Sequence, residues 1–464
     1  MATSETALKD PRTVVLPSGQ DSLVVDPATD LPKIVVVGGG AGGLELATHL
    51  GDKLGRKKKA HVTLLERSRT HIWKPLLHEI AAGSMDVSRH ELDYLAQGHW
   101  HGFRFRYGEM IGLDRKNRLV HTAATFDDEG RQITPPRSYP YDTLVIAIGS
   151  VSNDFGTPGV MKNAIMLDTP EQAERFNRRL INACIRANTQ ADPIRPGQLH
   201  VTIIGAGATG SELSAELHRT TRGLIAYGLD KVDPERDIKI TLVEAQPRIL
   251  PALPEKLSQA TSEILKGLGV EIRAGSFVTE VTDKGVTLKT GEFIPSELVV
   301  WAAGVKGPDI LGKLDGLEVT KGNFLVIKET LETTLDPDIF ALGDCTYLLP
   351  EGHDHPIPPR AQAAHQEASH LYKQIIRRMA GQPLKPFKYR DFGSLVSLGE
   401  YSTVGSLMGF ISGKSMWVEG LFAKLMYRML YKMHLMALHG YSKVILDTIA
   451  RTITQRTEPP IKLH

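Results

Sequence analysis

Apolar runs and helix-periodic segments alternate along this chain, and one arrangement of them occurs twice. Residues 33–51, KIVVVGGGAGGLELATHLG, open with a β-branched run, Ile34 to Val37, enter a cluster of glycines and continue with apolar residues at helical spacing. Residues 199–217, LHVTIIGAGATGSELSAEL, have the same layout. Each predicts a strand, a tight turn and a helix. A second apolar strand follows each: HVTLLERS reaches Glu66, and IKITLVEAQ reaches Glu244 after an insertion at 219–237. YDTLVIAIGS (141–150) and ELVVWAAGV (297–305) read as strands that end in small residues, among them Gly149 and Gly304, where the chain can cross between domains. DIFALGD ends in Gly343-Asp344. Residues 361–368, AQAAHQEA, predict an alanine-rich helix with Gln362 and Gln366 four apart on one face. Two uncharged amides are an odd choice for a solvent face. Segments 419–440 and 441–456 alternate apolar and basic positions at a period of 3.6.

The glycines bring chemistry into this pattern. Gly38, Gly40 and Gly43, and again Gly205, Gly207 and Gly210, give G-x-G-x-x-G between a strand and a helix. The first glycine permits the turn and the second admits a pyrophosphate to the backbone. The third lets helix and strand pack closely, with the helix N-terminus aimed at phosphate. An acid at the end of the next strand accepts from a ribose 2′-OH, which assigns Glu66 and Glu244. Two dinucleotide sites in one chain imply two dinucleotides, a bound flavin and a diffusible nicotinamide. Glu244 would repel a 2′-phosphate, so NADH is expected over NADPH, with Arg248 close by as the competing signal. Asp344 is placed to hydrogen-bond the ribityl chain of FAD; a capping Asp at a helix start is the plainer alternative.

The chain has 464 residues, enough for two to four domains. Its 55 basic and 53 acidic residues give no nucleic-acid signal. The charge is uneven: from Lys414 onward there are eight Lys/Arg against three acids, a net +5. No apolar run approaches the roughly 20 residues that span a bilayer. Residues 1–32 read as a loose, polar leader. Cys184 and Cys345 are far apart, against a disulfide scaffold, a Cys-rich metal site or a redox-active cysteine pair, and a cytoplasmic setting follows.

The order of motifs resembles the two-dinucleotide-fold flavoprotein reductases and, more narrowly, the bacterial type II NADH:quinone oxidoreductases. The resemblance is carried by GGGAGGLELATHLG, WKPLLHEIAAGS (73–84), GAGATGSELSAELH, LVEAQPRILPALP, WAAGVKGPD, ALGDC, PPRAQAAHQEA, SLVSLGEYSTVGSLMG (394–409) and the terminal IKLH. It implies that Ala361, Gln362 and Gln366 match the family's A-Q-x-A-x-Q pattern, which lines a quinone pocket beneath the flavin. Amide N–H₂ groups suit that role, because they donate to quinone carbonyls without placing a charge in an apolar slot. His365 is read as a packed or rim histidine. Glu212 is implied near the meeting of nicotinamide and flavin, positioning the one or handling a proton, against a plain first-turn Glu. Pro75 and Leu76 are implied to shape the flavin pocket.

The expected fold is α/β, with two doubly wound Rossmann-like domains and a C-terminal amphipathic membrane-binding module. An FAD domain is expected at 33–158 and 302–392, an NADH domain at 159–301 and the module at 393–464. The resemblance implies a homodimer at the cytoplasmic face of the membrane that passes two electrons from NADH through FAD to ubiquinone or menaquinone without pumping protons. The amphipathic tail suits an anionic lipid surface; a dimer or domain contact is the alternative. The rival functions are a reductase of this fold with another acceptor, such as sulfide, and a flavin-binding redox sensor that does not turn over.

Overall fold

The computed structural model describes residues 13–16, 19–27, 29–226, 228–398, 402–408 and 415–454. The expected leader lies partly outside the described residues; Lys414, Arg456, Lys462 and the terminal IKLH lie wholly outside them. The described chain forms two compact units. One comprises the chain up to His71, Leu92–Ser150 and Lys306–Tyr389; the other comprises Ile72–Glu91, Val151–Val305 and the chain from Arg390 on.

The first unit is built on a parallel five-stranded sheet. Its order is Ile339–Ala341, Thr143–Ile146, Lys33–Val37, His61–Glu66, Arg104–Tyr107. The strand Lys33–Val37 buries Ile34, Val35, Val36 and Val37 alike. Burial at both parities means that both faces are covered, which is why the run is continuously apolar and does not alternate. The register aligns the carboxyl ends: Val37 pairs with Leu65 and with Ile146, and Ile146 pairs with Ala341. The first fingerprint helix, Ala41–Leu50, packs along the glutamine helix, Ala361–Met379. Gly42 makes this approach possible, since a side chain there would strike Leu342 and Ala364.

The second unit repeats the plan. Ile165–Met166, Leu298–Trp301, His200–Ile204, Lys239–Val243 and Glu271–Arg273 form a parallel sheet in that order. Ile204 pairs with Val243 and with Trp301, so these carboxyl ends are level too. The second fingerprint helix runs from Ala208 to Ala226, so the insertion seen in the sequence is in part an extension of this helix. The helix Pro170–Thr189 starts at a capping box in which Thr169 and Gln172 satisfy each other's end groups.

Later in the same unit, Gly393–Leu398, Ser402–Met408 and Ser415–Glu419 form an antiparallel meander. Two helices follow, Gly420–His439 and Tyr441–Thr454, with Gly440 between them at φ +78°. Among their described side chains, His434, Leu435, Leu438 and Val444 are buried, and Trp73 stacks on His434. Met429, Leu430, Met433, Tyr441, Ile445, Leu446 and Ile449 are exposed. Of the described positions in the apolar stripe of the sequence pattern, Met429, Leu430, Met433, Ile445 and Ile449 therefore face outward. No described helix is long and apolar enough to cross a membrane.

Candidate functional site

The first cradle lies at the carboxyl edge of the first sheet. Gly38 turns at φ +102°, where any side chain would meet the Ala147 carbonyl. A side chain on Gly43 would collide with the Gly38 carbonyl, whereas Gly40 faces open space. The fingerprint helix begins at Gly40 with no side-chain cap, which leaves its first N–H groups to an anion. Glu66 braces the turn: Gly39 N donates to its Oε2 at 2.5 Å, and Arg67 N and Ser68 N donate to Oε1 at 2.7 and 3.1 Å. A carboxylate has about four acceptor positions, so a ribose hydroxyl can still be accommodated.

The Gly39 carbonyl is held from two directions, by Tyr94 Oη at 2.7 Å and His71 Nδ1 at 2.9 Å. Burial lowers the His71 pKa to about 4, so the ring is neutral and its Nδ1–H is the donor. Neither residue was expected from sequence. No short-range pattern links Tyr94 to a glycine 55 positions earlier.

At the same edge Gly149, at φ +71°, follows the strand Thr143–Ile146. Gly343-Asp344 follows Ile339–Ala341 in a 3₁₀ turn, with Gly343 at φ +76°. Gly343 N donates to Glu367 Oε2 at 2.6 Å. Glu367 was also not anticipated. It is 2% exposed, and burial pushes its carboxyl up to about 7, with Asp344 adding to the rise against the Gly343 hydrogen bond. An open glycine turn, an uncapped helix N-terminus and carboxylates at two strand ends fit FAD, which Gly38, Gly40, Gly43, Glu66, Gly149 and Asp344 could hold.

The second cradle has the same construction. Gly205 turns at φ +100° against Ala303, Gly210 abuts the Gly205 carbonyl, and Gly207 faces open space. Glu244 accepts from Ala206 N at 2.8 Å and Gln246 N at 2.9 Å. Gly304, at φ +63°, lies under the Phe155 ring. The Arg248 guanidinium donates to the carbonyls of Leu250 and Pro251 at 3.1 and 2.8 Å. An arginine tied to its own loop is poorly placed to recruit a 2′-phosphate that Glu244 repels. We expect E244Q to raise kcat/KM for NADPH relative to NADH by about tenfold, the equivalent of ~1.4 kcal/mol. Steady-state kinetics with both nucleotides checks this, and an unchanged ratio would remove Glu244 from the selection.

Glu212 is the fifth residue of the second fingerprint helix, beyond the first turn. It is 6% exposed; its Oε1 accepts from Ser397 N at 3.0 Å, and its Oε2 lies 3.6 Å from His78 Nδ1. Burial lowers the His78 pKa to about 4, and its Nδ1 lies 2.9 Å from the Pro75 carbonyl. Pro75, exposed, and Leu76, buried, form a 3₁₀ turn ahead of the helix Leu77–Ala82.

In the glutamine helix, Ala363 and Ala364 are buried, while Ala361, Gln362 and Gln366 are half-buried. Gln362 Oε1 accepts from Tyr389 Oη at 3.2 Å. His365, between the glutamines, places Nδ1 2.6 Å from Glu45 Oε2 on the first fingerprint helix.

Sequence and structure comparisons agree with the α/β fold. The family model described as pyridine nucleotide-disulphide oxidoreductase matches residues 32–368. A type II NADH:quinone oxidoreductase of Haemophilus influenzae is 44% identical over 446 residues, which cover 94% of this chain and 100% of that protein. A type II NADH:quinone oxidoreductase of Staphylococcus saprophyticus is 30% identical over 390 residues, 82% of this chain and 91% of that one. NDH2 of Plasmodium falciparum, solved in complex with NADH, superposes with TM-score 0.76 at 19% identity, covering 93% of this chain and 100% of that one. The sulfide:quinone oxidoreductase of Aquifex aeolicus gives TM-score 0.69 at 17% identity, covering 92% and 96%. At these two identities the likeness is one of fold. With the fold, both cradles and the similarity extending over nearly its whole length, the chain belongs to the type II NADH:quinone oxidoreductases, within the pyridine nucleotide-disulphide oxidoreductase family.

Proposed function

We propose that this protein takes two electrons from NADH and delivers them through a bound FAD to a membrane quinone, ubiquinone or menaquinone, at the cytoplasmic face of the membrane. The observation that carries the reading is the duplicated cradle: two open glycine turns, each braced by a strand-end carboxylate, at the carboxyl edges of two parallel sheets. When bound, FAD supplies hydride acceptance and electron transfer to the quinone. The chain's residues bind and orient. Gly40 and Gly207 leave room for pyrophosphates, Glu66 and Glu244 hold riboses, and Asp344 holds the ribityl chain. Pro75 and Leu76 shape the flavin pocket, and Glu212 positions the nicotinamide or handles a proton. Gln362 and Gln366 present neutral donors to the quinone carbonyls. No step requires a nucleophile. Cys184 and Cys345 are both buried free thiols, pushed up by burial to about 11 and about 12, which disfavours a thiolate-based sulfide reaction.

The exposed row Met429, Leu430, Met433, Ile445, Leu446 and Ile449, with Lys443 beside it, supports in-plane association with anionic lipid. A second copy of the chain could share that face as a homodimer. The electron transfer is proposed to run without proton pumping. The test is NADH oxidation in membrane and soluble fractions, with and without a short-chain quinone, before and after deletion from residue 414. Quinone-stimulated activity should leave the membrane fraction on deletion. Lipid association that survives the deletion would move the anchor elsewhere, and NADH binding without turnover would favour the sensor.

A further inference from the structure

One face of the first sheet carries charges that neither cradle uses, and strand register brings them together. Lys33 pairs with His61, and Leu65 pairs with Arg106, along three neighbouring parallel strands. Paired residues project to one face and every second residue returns to it, so Lys33, Val35, His61, Thr63, Arg104 and Arg106 share a face. Lys33 and His61 are the first residues of their strands. Gly38 of the flavin cradle follows the last residue of Lys33–Val37, about 16 Å along the strand from Lys33.

Except for Arg104, these side chains line a pocket of about 110 Å³. That is room for several waters or one small molecule. Tyr139 and Pro140 close it from the strand Arg137–Pro140, and Val25, Asp26 and Pro27 close it from the leader. Val25 N donates to the Ser138 carbonyl at 2.8 Å, which holds that part of the leader beside the strand. Lys33 Nζ lies 2.6 Å from Asp26 Oδ1. Asp142 accepts from the Lys33 N–H at 2.8 Å and is not part of the lining. The Arg106 guanidinium donates to the Phe105 carbonyl at 3.2 Å and has no carboxylate partner among the described residues. Tyr139 is 3% exposed, and its hydroxyl has no hydrogen-bond partner among the described residues. A buried hydroxyl left unpaired is unfavourable, and a ligand oxygen relieves it.

We propose that this pocket binds a short organic carboxylate, with Arg106 and Lys33 as its cationic contacts. A guanidinium fork matches a carboxylate and can hold both of its oxygens. Asp26 shows the chemistry in place, since it already sets a carboxylate on Lys33, and the ligand competes with it there. Val25, Pro27, Val35 and Pro140 give the pocket apolar walls, which suit an alkyl chain and offer inorganic phosphate nothing. The electrostatics agree. Burial first, then Arg106, Arg104 and Lys33, hold His61 below the ordinary imidazole range, with Asp26 acting against them. The potential at His61 is therefore positive, which favours an anion. The site is separate from both cradles and does not depend on the roles proposed for the glutamines.

The test is calorimetric titration of the full-length, flavin-loaded protein with succinate and, separately, with inorganic phosphate, at constant ionic strength and neutral pH. Succinate should bind saturably with a Kd of about 1 mM or tighter. Phosphate should bind at least about tenfold more weakly, because it buries no methylene groups. R106Q and K33M should each weaken succinate by at least about tenfold, the scale of one charge-assisted hydrogen bond. D26N should tighten it by about threefold, the scale of an exposed ion pair, because Lys33 loses its internal competitor. R104Q is the control: Arg104 is exposed on the same face and does not line the pocket, so the change should stay below about twofold. In ¹³C-histidine NMR, assigned with H61Q, saturating succinate should raise the pKa of His61. Wild-type protein that shows no saturable succinate binding would overturn the proposal. So would an R104Q loss as large as that of R106Q, which would mean diffuse attraction to a charged face. Phosphate binding as tightly as succinate would overturn the carboxylate class. If R106Q and K33M do not fold, D26N decides, and an affinity that is unchanged or weaker overturns the proposal.

Discussion

Gly43→Val should give a protein that purifies colourless, takes up no flavin on incubation with FAD and oxidises NADH at least about a hundredfold more slowly, a loss of ~2.7 kcal/mol or more. The reason is local geometry. A Cβ at position 43 falls on the Gly38 carbonyl, which is backbone and cannot rotate away. The fingerprint helix must then shift off its strand, and the N–H groups at its start lose their aim on the phosphates. Gly40→Ala is the control within the same motif. No atom lies within 4 Å of its new methyl, so the fold should be undisturbed and only the approach of the pyrophosphate hindered. Absorbance of the purified proteins and titration with FAD separate the two effects. A yellow G43V protein of normal flavin content would show that the first cradle is not the flavin site.

What could be read from the sequence divides along contact range. The turn, helix and strand-end acid of each cradle fall within about 40 residues of one another, so spacing alone carried Gly38, Gly40, Gly43 and Glu66, and again Gly205, Gly207, Gly210 and Glu244. The parallel α/β sheets followed, because a continuously apolar Ile34–Val37 is stable only where both faces are covered. Contacts made by packing distant helices left no local trace. The Glu45–His365 pair spans 320 positions, and nothing around LELATHL marks that glutamate as buried and charged. Tyr94 on Gly39 and Ser397 on Glu212 are of the same kind. The amphipathic tail was legible as a pattern and ambiguous as a surface. Periodicity identifies an apolar stripe but not which side the rest of the chain covers. Among the described side chains of the two tail helices the buried ones are His434, Leu435, Leu438 and Val444, and Met429, Leu430 and Met433 face out.

Glu367, unmarked in the sequence, is hydrogen-bonded to the turn proposed to hold FAD, and it carries the second large expected effect. Its carboxyl is 2% exposed, accepts from Gly343 N at 2.6 Å and stands near Asp344. Burial first, then Asp344, raises its pKa from the usual carboxylate value to about 7. The folded protein therefore binds this proton more tightly than the unfolded chain does. The stability it contributes is complete below the unfolded pKa, near 4.3, and is lost as pH rises through about 7. E367Q keeps an acceptor for Gly343 N and removes the titration. Its Tm relative to wild type should rise between pH 5 and pH 8 by the equivalent of about 2 kcal/mol. E367L removes the acceptor as well. It leaves the part-buried Gly343 N–H without its carboxylate partner, which costs roughly 1 kcal/mol at every pH, and it frees the Gly343-Asp344 turn, so FAD should bind more weakly than in E367Q. Thermal unfolding at constant ionic strength together with FAD titration distinguishes the two. If the Tm difference between E367Q and wild type is the same at pH 5 and pH 8, Glu367 is ionised throughout and its charge, not its proton, is what the turn depends on.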